Sequence, residues 1–247
     1  MDLATRNFLL LKLAETLGVV AVIMLVGTSG RLIYRPVNFK YPLREGRVSV
    51  IVYVLILAIA FLLYQTGLKL DFLENLQTPL TRQFVLSLLS LGVAAAALYF
   101  RRQPLLSAGW GNRQNMRLGL IIGLILVFLT VFLQGKFMSI IRGFTKQDGI
   151  LLLLMFGISL AEETIFRGFL QLRFNAWLGK PNGWLLTSAL FIFWQIPRLL
   201  TAPTHFWINL GVLAVQSFLL GWIMQKCGHV LAPALYRAVS NWVTLIA

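Results

Sequence analysis

The chain has 247 residues, 58% of them hydrophobic and only 12% charged, with a mean hydropathy of +0.80 and a formal net charge of +14. A soluble domain carries about 25% charged residues, so half that density combined with long apolar runs excludes an ordinary water-soluble fold and indicates a polytopic membrane protein. The positive charge does not indicate a nucleic-acid partner, because the basic residues sit in short segments between apolar runs, where membrane topology places them.

In chain order, the first apolar segment covers about Phe8–Gly30, with Lys12 and Glu15 in its early turns. Its greasy portion, LGVVAVIMLVGTSG, reads either as the apolar region of a cleavable signal or as a retained helix in which Lys12 and Glu15, three apart, pair with each other. Val48–Leu68, Gln83–Phe100 and Leu118–Gly135 are continuous apolar runs close to the ~20 residues that cross a hydrocarbon core. Their continuity favours helices over the alternating strands of a barrel. Polar residues interrupt the second half, where Gly149–Leu172, Gly183–Pro197, Phe206–Gln225 and His229–Ala247 read as four further spans. Pro181 with Gly183 is expected to break the chain before the second of these. Pro197 and Pro203 are expected to bracket the connection after it.

The expected fold is therefore all-α, a polytopic membrane helical bundle of about eight transmembrane helices. It forms a single membrane domain over 1–247. With eight spans, basic loop residues such as Arg44, Arg101, Arg173, Lys180 and Lys226 outnumber those on the opposite side, which predicts their side to be cytoplasmic. The single Cys227 excludes an internal disulfide, and two histidines, His205 and His229, are few for a metal centre.

A charged side chain within a span costs about 2.5–3.5 kcal/mol on insertion scales and usually faces a partner inside the bundle. The stretch AEETIFRGFLQ, 161–171, carries three such residues. Glu163 and Arg167 are four apart and can pair, whereas Glu162 lies about 100° around the helix and needs a partner elsewhere. Phe191 and Gln195 are one turn apart on a later span, as are Arg237 and Asn241 on the last. A buried polar cluster of Glu162, Gln195, Arg237 and Asn241 is the expected arrangement.

The order of these elements resembles the CPBP family, the CAAX-protease and bacteriocin-processing (Abi) group of intramembrane endopeptidases. Glu162, Glu163 and Arg167 match its EExxxR motif in full, and LLGWIMQKCGHVLAPALYRAVSN resembles the approach to its third motif. The resemblance runs from about Ile150 to Asn241, so 149–247 forms the family-like core, while 1–148 holds spans with weak resemblance. The family's second motif, FxxxH, is met by Phe191 but has Gln195 at the histidine position. Its third, HxxxN, is met by Asn241 but has Arg237 at the histidine position.

The resemblance implies Glu162 as general base on a water, Glu163 and Arg167 as braces, and Asn241 as a positioning group. The two substitutions disfavour that chemistry. Arginine stays protonated and would hold Glu162 ionised beside a fixed cation, and glutamine cannot shuttle a proton. The expectation is a degenerate member without protease activity that binds or helps assemble other membrane proteins. An active endopeptidase with Glu162 as base and a transporter are the alternatives. No cofactor is expected, and zinc is disfavoured because both motif histidines are absent. The expected partners are membrane lipid and other integral membrane proteins or peptide substrates, with no nucleic acid.

Overall fold

The structure, a computed structural model, describes residues 3–28, 37–65, 79–201 and 206–246. All regular elements among them are helical: α1 (Leu3–Thr28), α2 (Pro42–Gln65), α3 (Pro79–Phe100), a 3₁₀ turn (Leu105–Ala108), α4 (Arg113–Leu133), the short α5 (Phe137–Arg142), α6 (Lys146–Glu163), a π turn (Thr164–Leu170), α7 (Gln171–Leu178), α8 (Lys180–Leu199), α9 (Phe206–Cys227) and α10 (Leu231–Leu245). The segment α6–π–α7 is one long helix, giving an all-α bundle with eight main helical rods among the described residues.

Among the described residues, six rods are long and apolar enough to cross a membrane: 5–26, 42–65, 79–100, 105–133, 146–178 and 206–227. The protein is an integral, multi-pass membrane protein. The other two of the eight expected spans fall short of that criterion for a physical reason. Rod α8 carries buried Thr187, Ser188 and Gln195, and α10 has 15 residues with buried Arg237 and Ser240. The polar groups of α8 reduce its apolar character, and α10 is too short to count as a span.

Helix ends also extend past the hydrophobic runs. Helix α2 starts at Pro42, six residues before the expected Val48, because Glu45 and Gly46 in its first turns are buried against other helices. Pro181 does not break the chain. It lies in the first turn of α8, where its missing N–H costs nothing, and the break is at Gly179 with φ 85°. Pro197 likewise lies inside α8, which runs on to Leu199. Pro203 and His205 lie outside the described residues.

Close approaches rest on small residues. Helix α10 packs mainly on α4 and α6. On α4, Gly119 and Gly123 form a G-x-x-x-G face on which His229, Ala232 and Leu235 rest, the small-residue contact expected between helices in lipid. Outward positions such as Leu124, Phe128 and Phe132 on α4, or Ile51, Val54 and Leu55 on α2, are exposed and form the lipid-facing surface.

Candidate active site: a buried carboxylate–guanidinium cluster

The first glutamate of the EExxxR stretch is fully enclosed. Glu162 exposes none of its surface, and both its oxygens are engaged. Oε1 accepts from the Gln83 amide and, at 2.9 Å, from Ser87 Oγ, both on α3. Oε2 pairs with Nη2 of Arg237 on α10 and accepts from Gln195 Nε2 on α8 at 3.3 Å. Three helices besides its own therefore converge on one carboxylate.

The same arginine also holds the second glutamate. Arg237 Nη1 donates to Glu163 Oε1 at 3.0 Å, so one guanidinium bridges both carboxylates. The expected i,i+4 pair is present as well, with Arg167 Nε 3.4 Å from Glu163 Oε2 and both side chains wholly buried. Arg167 spends its remaining donors on α8 and α9, reaching Ser217 O at 2.8 Å, Ser217 Oγ at 2.9 Å and Ser188 Oγ at 3.4 Å. Two carboxylates and two guanidiniums thus neutralise one another, which is what burial of charge demands.

Phe191 is the spacer between the cations. Its ring centroid is 4.6 Å from Arg237 Cζ and 5.4 Å from Arg167 Cζ, within cation–π range of both. Its ring packs edge-on against Phe166 (4.9 Å between centroids), and Trp194 closes the triad at 5.1 Å from Phe166. Trp194 Nε1 finds Ile56 O on α2 at 3.3 Å, so the aromatic wall ties the cluster to the N-terminal half.

Local backbone form follows the motif. Immediately after Glu163 the helix widens into the π turn Thr164–Leu170, which carries Arg167. Such turns are rare and recur at functional sites. Within it, Gly168 lets the Ala108 carbonyl lie directly against the helix, since a Cβ at 168 would overlap that oxygen. Gly109 (φ 79°) then accepts Val230 N–H at 3.1 Å, which ties the 101–112 and 228–230 connections together at one end of the bundle.

The structure brings Glu162, Glu163, Arg167, Phe191, Gln195 and Arg237 into one cluster. Asn241 does not join it: the side chain is half-buried and shares no hydrogen bond with these residues. His229 sits elsewhere, against Trp110 and Gly119, with Nδ1 accepting from Leu231 N–H at 3.1 Å. The residues missed in the sequence are Gln83 and Ser87, with Tyr64 donating to Gln83 Oε1 at 3.1 Å behind them. Their signal was present, because Gln83, Ser87, Ser90 and Ala94 form a small and polar stripe at helical spacing through an apolar run.

A second buried network corrects the reading of Arg173 as a loop residue. It lies in α7, is fully buried, and pairs with Glu45 at 3.2 Å while donating to Ser107 O and Phe169 O at 2.8 and 2.9 Å. Arg101 and Gln103 complete the shell around Glu45. The Lys12–Glu15 pair forms at 3.1 Å, and Lys12 also reaches Ser240 Oγ on α10 at 2.9 Å, while Gln134 on the α4 end donates to Glu15 at 2.6 Å.

The two carboxylates of the central cluster face two guanidiniums. No group of three His, Cys, Asp or Glu placed to hold a metal occurs among the described residues.

The bundle is that of a multi-pass membrane protein, and its motif-bearing cluster lies in the part of the chain that is similar to CAAX proteases. Residues 144–243 match the family model described as type II CAAX prenyl endopeptidase Rce1-like, a segment that contains the CPBP-like stretch from about Ile150 to Asn241. No curated protein matches the chain, and no solved structure does.

Proposed function

We propose that this CAAX-protease-like membrane protein is a degenerate member that does not cleave peptides and instead binds or helps assemble other membrane proteins. One observation carries the reading: the Arg237 guanidinium lies on both Glu162 and Glu163, in a site from which Glu162 exposes no surface. A general base needs a pKa near the operating pH and a water within hydrogen-bond reach. Four donors already occupy the two oxygens of Glu162, one of them a guanidinium. The pair behaves as a fixed strut between α6 and α10 rather than as a poised base.

A second reading, an active endopeptidase with an altered site, draws on a separate observation. Gln195 Oε1 and Arg237 Nε are buried beside Glu162 without hydrogen-bond partners. An acceptor and a donor free at one place could hold a water, and Arg237 could stabilise an oxyanion.

The test is a comparison of purified wild type with Gln195→His/Arg237→His in liposomes, offered prenylated and leader-type peptides. The proposal expects no cleavage by wild type that depends on Glu162, and an unchanged set of co-purifying membrane proteins in the double variant. Cleavage by wild type that is lost in Glu162→Gln would overturn it.

A further inference from the structure

A cleft of about 550 Å³ opens at the bundle end that carries the 37–42 segment, the α7–α8 corner and the last turn of α9. It lies away from the Glu162 cluster and is lined by none of that cluster's residues. Its volume falls within the range of small-molecule sites.

Three features of its lining point to one chemistry. Lys180 and Lys226 line it, both exposed, and neither has a carboxylate partner among the described residues; no Asp or Glu lines the cleft. Deeper in, Gln171 is wholly buried. Its Nε2 donates to Gly221 O at 2.9 Å while its Oε1 has no partner. Asn175 Oδ1 is a second buried acceptor without a partner. A buried acceptor left unmet costs free energy, and two lining residues carry one each, Gln171 Oε1 against Gly221 and Asn175 Oδ1 against Gly183, beside two free cations. Phe39 and Met224 supply an apolar wall.

We propose that the cleft binds a phosphate flanked by hydroxyls, of the glycerol-phosphate type. The lysines hold the phosphate, and Gln171 and Asn175 accept from the hydroxyls. Basic pockets between membrane helices hold anionic headgroups, and the apolar wall suits the first carbons of an attached acyl chain. The same polar chemistry is offered by a phosphatidylglycerol headgroup and by free glycerol phosphate, and the experiment separates the two.

Full-length protein is placed in nanodiscs of phosphatidylcholine with a minority of phosphatidylglycerol, and the lipid retained after transfer to detergent is counted by native mass spectrometry. The expected result is retention of phosphatidylglycerol over phosphatidylcholine by about tenfold. Lys180→Gln/Lys226→Gln abolishes that preference, while Arg113→Gln/Arg117→Gln, two exposed cations on neighbouring α4, leaves it intact. Gln171→Leu reduces it as well; should that variant fail to fold, the lysine pair still decides. In a parallel arm, glycerol phosphate is titrated onto detergent-solubilised protein and the unfolding temperature followed. A rise in wild type that is absent from the lysine variant assigns the site to the free solute. Equal retention of the two lipids with no such rise, or equal loss in the α4 control, overturns the proposal.

Discussion

Arg237 Nη1 donates to Glu163 Oε1 at 3.0 Å, joining the last helix of the bundle to the helix that carries the EExxxR stretch. Because its other amino group holds Glu162, one side chain bridges two adjacent carboxylates, and Arg167 supplies the second positive charge. Truncating one partner of a buried pair costs about 3–5 kcal/mol, since it leaves uncompensated charge. Arg237→Gln is therefore expected to lower stability by that order. Glu162→Gln/Arg237→Gln should recover much of the loss, because Glu163 keeps Arg167. Reversible unfolding in mixed micelles measures the double-mutant cycle. Additive losses would show that the pair is not coupled.

The N-terminal half contributes to the same carboxylate. Gln83→Leu or Ser87→Ala removes a donor from Glu162 Oε1, and each is expected to cost about 1–3 kcal/mol. Neither change should matter in a Glu162→Gln background to the same degree. Equal effects in both backgrounds would mean that these α3 residues act only through packing.

Arg173 and Arg101 both reach Glu45, yet only Arg173 is fully buried. Arg173→Met should destabilise strongly, by about 3–5 kcal/mol. Arg101→Met should cost less, since its side chain is 19% exposed and water can take over part of its role. The ranking, read from the same unfolding assay, is the prediction, and a reversed order would contradict the burial argument.

Gly168→Ala forces a methyl group onto the Ala108 carbonyl oxygen and should sharply reduce the yield of folded protein. Gly92→Ala, with nothing within 4 Å of the added carbon, should be neutral or slightly stabilising because alanine is the better helix former. Size-exclusion profiles of the two variants provide the comparison.

The sequence made some of this legible and hid the rest for identifiable reasons. Glu162, Gln195 and Arg237 could be grouped because each interrupts an apolar run, where charge and amide groups need partners. Lys12–Glu15 and Glu163–Arg167 could be paired because helical spacing alone brings them together. Glu45–Arg173 could not, since 128 positions separate them and each looked like a residue at a span end. Gln83 was hidden the same way, at the edge of its hydrophobic run. Asn241 was grouped by spacing from Arg237, yet one turn of α10 carries it out of hydrogen-bond contact with the cluster. The π turn has no periodic signature, whereas the last rod and the one beginning at Lys180 are the most amphipathic, because their inward faces are polar.

The central claim is that Glu162 serves as a strut and not as a base. It is tested most directly by terminal-peptide mass spectrometry of membranes from cells carrying wild type or Glu162→Gln at matched protein levels. The account predicts the same set of newly formed peptide termini in both. A group of termini present with wild type and lost with Glu162→Gln, while the variant remains folded and inserted, would contradict it.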